Sequence, residues 1–233
     1  ELNHKMSLYS YEAYRVISDL WLKVSWNLQL HYAFSWMGAP FAQTPADVLV
    51  LQDAIWEIQP DVLIETGVFR GGSMLFYATL FEALGHGKVI GVDIEISKNL
   101  REFIGRSRLS PRITMIEGDS AGDATLSQVR ALLSPSDKVM VVLDSDHSKG
   151  HVTRELKAYA PLVTKGSYIV ATDGSMRELH NTPGGNPAWA TDNPAAAAQE
   201  FVRSTSGFCI DKERPWRKDQ VYLTDSVTYF PDG

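Results

Sequence analysis

The spacing of hydrophobic and polar positions changes near residue 61. Residues 10–36 carry aromatic and aliphatic side chains at roughly helical intervals without proline or glycine, which predicts one or two helices that act as a cap or an oligomer contact. Residues 44–58 predict a further helix, with Thr44 as N-cap and Pro45 at its first position. The spacing therefore divides the chain into a helical cap or oligomerisation segment at 1–43 and a domain at 44–233.

From Asp61 onward, short β-rich runs alternate with helical segments. Strands are predicted at DVLIETG, KVIGVD, RITMIEGD, KVMVVLD and GSYIVATD. These runs are too apolar to have a solvent-facing side, so they predict an α/β fold with a parallel sheet that helices cover on both faces. Near the end of the chain, FCID and VYLTD are predicted to pair as a closing antiparallel hairpin.

Residues 174–194 interrupt this alternation with a segment rich in glycine, proline and asparagine. The segment predicts a long loop, and loops of that length in compact domains are often lids or binding loops. Trp189 in this loop either covers an apolar or sugar face of a ligand or only anchors the loop, and His180 is expected on the surface.

The composition of the chain limits the classes of partner that it is expected to bind. The chain is 44% hydrophobic and 21% charged with a formal net charge of −6, and this acidic balance argues against nucleic acid. No apolar run approaches the roughly 18 residues of a membrane span, so no membrane partner is expected. The single cysteine, Cys209, excludes an internal disulfide, and the start ELNHKMSLYS lacks a signal-peptide profile, so a cytoplasmic location is expected.

The stretch IETGVFRGGS predicts a ligand-binding turn between a strand and a helix. Glu65 and Gly67 end the strand, and Gly71 and Gly72 open the helix, so the backbone can approach a ligand closely. Asp93 ends the next strand, where an acid can accept hydrogen bonds from ribose hydroxyls. The spacing differs from the dinucleotide pattern G-x-G-x-x-G, and Glu65 can hold a cationic amino group, which favours S-adenosylmethionine over NAD. A turn that only packs is the alternative.

The tetrapeptide EGDS closes the third predicted strand. Asp119 and Ser120 stand where the edge of an adenine ring would lie, and both side chains can hydrogen-bond it. A purely structural role is an equally good interpretation of so short a motif.

The stretch VMVVLDSDHSKGH runs from a buried strand into acids and histidines. Asp144 ends this strand and Asp173 ends the next, so both carboxylates emerge at one edge of a parallel sheet and suit Mg²⁺ or a similar cation. His147 lies three residues after Asp144 and can act as a general base near neutral pH. The alternative is that this segment only caps the following helix, with the histidines on its solvated face. This interpretation is favoured for Asp146, and for His151 it is as good as a role in the site.

Taken together, these motifs resemble the cephalosporin hydroxylase and rhamnosyl O-methyltransferase family. The resemblance is carried by WMGAPFAQTPADVLVLQDAIWEIQPDVLIETGVFRGGS, VIGVDIEIS, MIEGDS, VVLDSDHSKGHVTRELKAYAPLV and GSYIVATD, in the same order and spacing across residues 36–174. It implies a Rossmann-like class I methyltransferase fold with a seven-stranded, mostly parallel sheet. It also implies S-adenosylmethionine as methyl donor, often with Mg²⁺, and a sugar or other natural-product hydroxyl as acceptor.

The resemblance also assigns residues. It implies metal ligation by Asp144 and Asp173, and its Asp-x-x-His looks like the Asp-x-x-Lys of catechol-type O-methyltransferases, with His147 in place of the lysine. One departure is Thr172, because relatives often have an acid directly before the second aspartate. One oxygen ligand is therefore missing, so the metal is held more weakly or is completed by Asp146 or water. The implied cofactor contacts are Glu65, Gly67, Gly71, Ser73, Asp93, Asp119 and Ser120.

The resulting hypothesis is a metal-dependent O-methyltransferase that acts on a small molecule, such as a sugar or glycosylated natural product, and forms a homo-oligomer. Mg²⁺ would acidify the acceptor hydroxyl and His147 would remove its proton. A metal-assisted hydroxylase or other oxidoreductase, and a non-catalytic nucleoside-binding subunit, are the alternatives.

Overall fold

The computed structural model of the protein describes residues 7–211. Short 3₁₀ turns lie at Leu30–Ala33, Ser110–Arg112, Ala160–Leu162 and Pro187–Ala190. The helices are α1 (Tyr11–Asn27), α2 (Pro45–Ile58), α3 (Gly72–Leu84), α4 (Lys98–Arg106), α5 (Asp123–Ala131), α6 (Lys149–Tyr159), α7 (Met176–Leu179) and α8 (Pro194–Ser204). The strands are β1 (Ser35–Trp36), β2 (Ala39–Pro40), β3 (Val62–Thr66), β4 (Lys88–Asp93), β5 (Ile113–Glu117), β6 (Val139–Leu143) and β7 (Ile169–Ala171).

The five predicted strands form one parallel sheet in the order β5-β4-β3-β6-β7. The first strand of this sheet along the chain, β3, pairs with both β4 and β6, so the order reverses beside it. Thr66 pairs with Val92 on one side and with Leu143 on the other, and the carboxyl ends of the strands are therefore level. A reversal of this kind opens a crevice at the carboxyl edge, which is where ligands bind in open α/β sheets.

The predicted strand count of seven is wrong for the described part of the chain, in which this sheet has five strands. The FCID segment at 208–211 forms no strand, and VYLTD, its predicted partner, lies outside the described residues. A strand forms only where a neighbour supplies the ladder hydrogen bonds, and residues 7–211 contain no such neighbour for this segment.

Both faces of the sheet are buried along β3 and β6, as the apolar runs predict, whereas β5 at the edge leaves Thr114 and Glu117 exposed. Successive side chains of a strand point to opposite faces. Leu63 and Met140 accordingly join a cluster on one face with α2, α3 and α4. Ile64 and Val141 join a second cluster on the other face with α5, α6 and α8. Because helices cover both faces, a ligand can reach the sheet at the carboxyl ends of its strands.

The N-terminal segment packs against the domain through its hairpin and through α1, among other contacts. Strands β1 and β2 form a small antiparallel hairpin, and the Trp36 and Phe41 rings lie 5.0 and 5.5 Å from the Phe76 ring in α3. Helix α1 contacts the 174–194 segment, where Leu22 packs with Leu179. The domain boundary at residue 43 stays a prediction. Helix α2 begins at Pro45, as predicted, with the Thr44 side chain as its N-cap.

Two further expectations can be compared with the structure. The 174–194 segment contains the short helix α7 and one 3₁₀ turn, so the predicted loop is partly helical. Within residues 7–211, no helix has both the length and the hydropathy that a bilayer crossing requires.

Candidate active site

A cavity of about 730 Å³ opens at the carboxyl edge of the sheet. Its floor is formed by residues that follow β3, β4, β5 and β6, and its walls by the hairpin, the end of α1 and the 174–194 segment. Cavities of this size are typical of small-molecule sites. The predicted cofactor and metal residues can therefore be placed relative to a single cavity.

The glycine turn shapes one wall of this cavity. Gly67 has φ +84°, and a Cβ there would lie 2.0 Å from the Asp144 carbonyl oxygen, so no other residue fits between the two strand ends. Gly72 also borders the cavity, where a Cβ would lie 2.3 Å from the Pro40 carbonyl oxygen. Gly71 caps α3 and packs against Leu100, outside the cavity lining. The turn thus brings the N-terminus of α3 to the cavity, which favours a negatively charged ligand group.

Glu65 lies beneath this turn and is completely buried. Its Oε2 accepts a 2.9 Å hydrogen bond from Ser73 Oγ, and Ser73, not Glu65, borders the cavity. Burial raises the pKa of Glu65 to about 8, although hydrogen bonds from Ser73 and Tyr77 oppose the rise. Ser73 thus stands between the Glu65 carboxylate and the cavity, and the ligand contact predicted for Glu65 stays a prediction.

We expect Glu65→Gln to flatten the pH dependence of stability. The pKa of Glu65 is raised from 4.5 to about 8, so between these values the folded protein holds a proton that the unfolded chain has lost. The unfolding free energy then falls by up to about 1.4 kcal/mol for each pH unit of increase across this window. A glutamine stays neutral and can still accept the Ser73 hydrogen bond. Denaturant unfolding of both proteins from pH 5 to pH 8 measures the difference, and parallel curves would contradict it.

Asp93 closes the same turn from the neighbouring strand. Its Oδ2 accepts hydrogen bonds from the backbone amides of Val68 (2.8 Å) and Phe69 (3.2 Å), and its Oδ1 accepts one from Glu95 N. Each carboxylate oxygen has more than one acceptor position, and Asp93 borders the cavity. The carboxylate can thus hold the turn and still accept hydrogen bonds from a ligand.

Asp119 and Ser120 border the cavity beyond Asp93. The Ser120 hydroxyl lies 3.0 Å from His151 Nε2, which is also 3.3 Å from a carboxylate oxygen of the buried Glu155. Arg154 donates a 2.8 Å hydrogen bond to His151 Nδ1, which leaves the proton of a neutral ring on Nε2. His151 therefore orients Ser120, a role that the sequence left open. The helical spacing of His151, Arg154 and Glu155 is the signal that could have revealed this group.

Asp144, His147 and Asp173 meet on the other side of the cavity. One possible ligand atom from each side chain lies within 4.8 Å of the others, and His147 Nε2 is 3.4 Å from Asp173 Oδ2. Asp173 has φ +56°, a strained value for a residue other than glycine, and such strain is common at functional sites. The cluster fits a hard divalent cation, because two of its three groups are carboxylates.

Burial raises the pKa of Asp144 well above its ordinary value, and the nearby Asp173 carboxylate raises it further. Burial lowers the pKa of His147, but the surrounding carboxylates, Asp173 foremost, more than compensate and leave it raised. Two carboxylates this close repel each other unless a cation or a proton lies between them. The electrostatics of the cluster are thus those of a site that binds positive charge.

Two neighbouring residues occupy the oxygens of Asp144. Thr172 Oγ1 lies within hydrogen-bond distance of both Asp144 Oδ1 and the Leu143 carbonyl oxygen, which compete for its one proton, and Gln43 Nε2 donates to Oδ2 over 3.0 Å. Gln43 was not predicted, because it precedes the α2 N-cap and carries no local signal. Asp146 is exposed and its Oδ1 accepts a 2.7 Å hydrogen bond from Ser148 N, whereas the cap of α6 is the Ser148 side chain.

Aromatic side chains form the wall opposite the strand ends. The Trp26 ring stacks on the His31 ring with their centroids 4.8 Å apart, and it meets the Trp189 ring edge-on with the centroids 5.7 Å apart. The Tyr32 and Phe69 ring centroids are 6.2 Å apart. All five border the cavity. Trp189 therefore both anchors the 174–194 segment and faces the cavity, whereas His180 does not border it.

Comparison with known proteins places this arrangement in context. The sequence profile of the family described as Rhamnosyl O-methyltransferase/CmcI matches residues 28–230. A rhamnosyl O-methyltransferase of Mycobacterium leprae is 33% identical over 144 residues, which cover 61% of each chain. One of Mycobacterium tuberculosis is 30% identical over 155 residues, which cover 66% of this chain and 62% of the relative. The chain thus spans about three fifths of the length of these relatives.

Solved structures share the fold. A CmcI apo structure superposes with a TM-score of 0.51 at 21% identity, covering 73% of this chain and 66% of that one. An O-methyltransferase from Bacillus cereus in complex with SAH gives 0.52 at 15% identity, covering 88% and 83%. The methyltransferase MycE in complex with Mg, SAH and mycinamycin VI gives 0.50 at 21% identity, covering 76% and 47%. The fold is the α/β fold of these methyltransferases, and the chain belongs to the Rhamnosyl O-methyltransferase/CmcI family.

Proposed function

We propose that the protein is an S-adenosylmethionine-dependent and Mg²⁺-dependent O-methyltransferase, with a hydroxyl of a sugar or glycosylated small molecule as acceptor. The observation that carries the proposal is the presence of the Asp144, His147 and Asp173 cluster and the glycine turn in one cavity. The names of the relatives support it, because they are rhamnosyl O-methyltransferases. The MycE complex with Mg, SAH and mycinamycin VI is consistent with it.

The turn side of the cavity would hold the methyl donor. The N-terminus of α3 suits the carboxylate of the methionine part, and Ser73 can accept a hydrogen bond from its amino group while donating to Glu65. Asp93 would accept hydrogen bonds from the ribose hydroxyls. Asp119 and Ser120 would contact the adenine, with His151 holding the Ser120 hydroxyl in place.

The acid side of the cavity would hold the cation through Asp144 and Asp173. When bound there, Mg²⁺ lowers the pKa of a hydroxyl that it contacts. His147 would accept the acceptor proton at a ring nitrogen as the acceptor oxygen forms its bond to the methyl carbon and the carbon–sulfur bond breaks. The protein would contribute chiefly by aligning these atoms and excluding water.

The aromatic wall would receive the acceptor. Trp26, Tyr32 and Trp189 present ring surfaces to the cavity, and such surfaces suit the apolar face of a sugar or a macrocycle.

We also propose a homo-oligomer. Helix α1 exposes Ile17, Leu20 and Trp21 by more than half of their surface, and a second subunit could cover them.

The alternative of a metal-assisted hydroxylase is less consistent with the site. Non-haem iron oxygenases use two histidines and one carboxylate. Within residues 7–211, the candidate metal cluster has one histidine and two carboxylates, a set that suits a hard cation better.

Calorimetry and transfer of a labelled methyl group test the proposal. We expect the purified protein to bind S-adenosylmethionine and S-adenosylhomocysteine but not NADH or 2-oxoglutarate. With Mg²⁺ present, label should appear on rhamnosides or other glycosides, and EDTA should prevent its transfer. Binding of NADH or 2-oxoglutarate in place of S-adenosylmethionine would favour an oxidoreductase. Binding of S-adenosylmethionine without turnover on any glycoside, phenol or β-lactam would favour a non-catalytic subunit.

A further inference from the structure

The metal cluster offers fewer ligands than Mg²⁺ takes. Asp144, His147 and Asp173 provide three groups, whereas Mg²⁺ takes six ligands in an octahedron. Waters often fill the remaining positions, and a buried side-chain oxygen that borders the cavity can fill one of them.

Gln43 is buried beside this cluster, with only 6% of its surface exposed. It borders the cavity, and its Nε2 lies 3.0 Å from Asp144 Oδ2. The carboxamide oxygen of Gln43 is also buried and accepts no hydrogen bond from any residue in the described range 7–211. A buried carbonyl oxygen without a donor is unfavourable, so its position calls for a functional explanation.

The distance between Gln43 and Asp144 matches that between two neighbouring ligands of one cation. Oxygens bound to Mg²⁺ at right angles and at 2.0–2.1 Å lie about 3 Å apart. The two ends of a carboxamide have nearly the same shape, so a half-turn of the Gln43 amide puts its oxygen where the nitrogen lies now. The amide can thus donate to Asp144 without a cation and offer its oxygen when one is present.

We propose that the side-chain oxygen of Gln43 ligates the divalent cation together with Asp144 and Asp173. The inference rests on the metal site of the proposed function. It differs from a role in which Gln43 only donates a hydrogen bond to Asp144, because only a ligating oxygen is bonded directly to the cation and therefore couples to it magnetically.

Titration of Gln43→Met with Mg²⁺ by calorimetry, and with Mn²⁺ by electron paramagnetic resonance, tests the proposal without any acceptor or methyl donor. Methionine preserves the length of the side chain but has no hard oxygen. We expect both metals to bind at least about tenfold more weakly, since even indirect partners of metal ligands contribute 10–100-fold. Gln43→Glu should retain or increase the affinity. Gln128→Met, on the exposed face of α5, is the matched control and should bind as the wild type does.

The outcomes separate the inference from the function on which it rests. If the wild type binds neither metal, the metal role in the proposed function fails. If the wild type binds and folded Gln43→Met binds equally well or better, the inference is overturned. Thermal unfolding in EDTA establishes folding. Loss of a hydrogen-bond partner of Asp144 would also weaken metal binding, so electron–nuclear double resonance on Mn²⁺-loaded wild type decides between the two roles whether or not the variant folds. A ligating amide labelled with ¹³C in glutamine must couple to the metal, and absence of this coupling overturns the inference.

Discussion

Replacement of Asp144 by asparagine is expected to reduce methyl transfer by about a thousandfold or more and to abolish Mg²⁺ binding. Asparagine keeps the shape of the side chain and can still accept the Thr172 hydrogen bond, but it removes the charge that the cation would contact. Loss of one electrostatic group at a reacting centre commonly costs 10²–10³-fold, and here the metal is lost with it. Initial rates with labelled methyl donor, together with Mg²⁺ calorimetry, measure the two effects.

The stability of the metal-free protein, unlike its activity, should not fall when Asp144 is replaced by asparagine. Burial and the neighbouring Asp173 raise the pKa of Asp144, which means that its charged form is unfavourable in the metal-free protein. We therefore expect Asp144→Asn to unfold in EDTA at the same temperature as the wild type or a higher one. Asp53→Asn is the matched control, because Asp53 is exposed on α2 and does not border the cavity, so its Mg²⁺ affinity should stay close to that of the wild type. Full activity of Asp144→Asn, insensitive to EDTA, would rule out the metal role.

The features that the sequence predicted well depend on local pattern. The strands at the centre of the sheet appear as short apolar runs because helices cover both of their faces. Asp93, Asp144 and Asp173 follow directly from this, since an acid at or just after the end of a parallel strand reaches the same edge whatever the rest of the fold does. The parallel sheet and its ligand edge are thus consequences of the alternation, whereas the strand order was not predicted.

The features that the sequence did not predict depend on how deeply a side chain is buried and on contacts between residues that are far apart in the sequence. Glu65 looks like a ligand contact in the motif, but only the structure shows that Ser73 lies between its carboxylate and the cavity. Gln43 contacts Asp144 across 101 positions, and Trp26 reaches the Gly184 carbonyl oxygen across 158. The periodicity of hydrophobic residues carries no information about such pairs. It reports which side of a helix or strand is buried by local packing, and not which distant residue lies against it.

Replacement of His147 by alanine is the second change from which a large effect is expected, and it distinguishes a base from a ligand. His147 borders the cavity beside both acids, with Nε2 3.4 Å from Asp173 Oδ2, so its ring could either take a proton or bind the cation. If it is the general base, the kcat for a glycoside should fall by about 10²–10⁴-fold while Mg²⁺ and S-adenosylhomocysteine bind as before.

Acceptor acidity provides an independent measurement of the same role. A general base matters most when the acceptor hydroxyl holds its proton tightly, so His147→Ala should lose less activity on a phenol than on a sugar hydroxyl. Added imidazole should restore part of the sugar activity, because the missing side chain leaves space beside the acids. A parallel loss of Mg²⁺ affinity, with equal losses for phenol and sugar, would instead make His147 a metal ligand. The base would then have to be sought among the other groups that border the cavity.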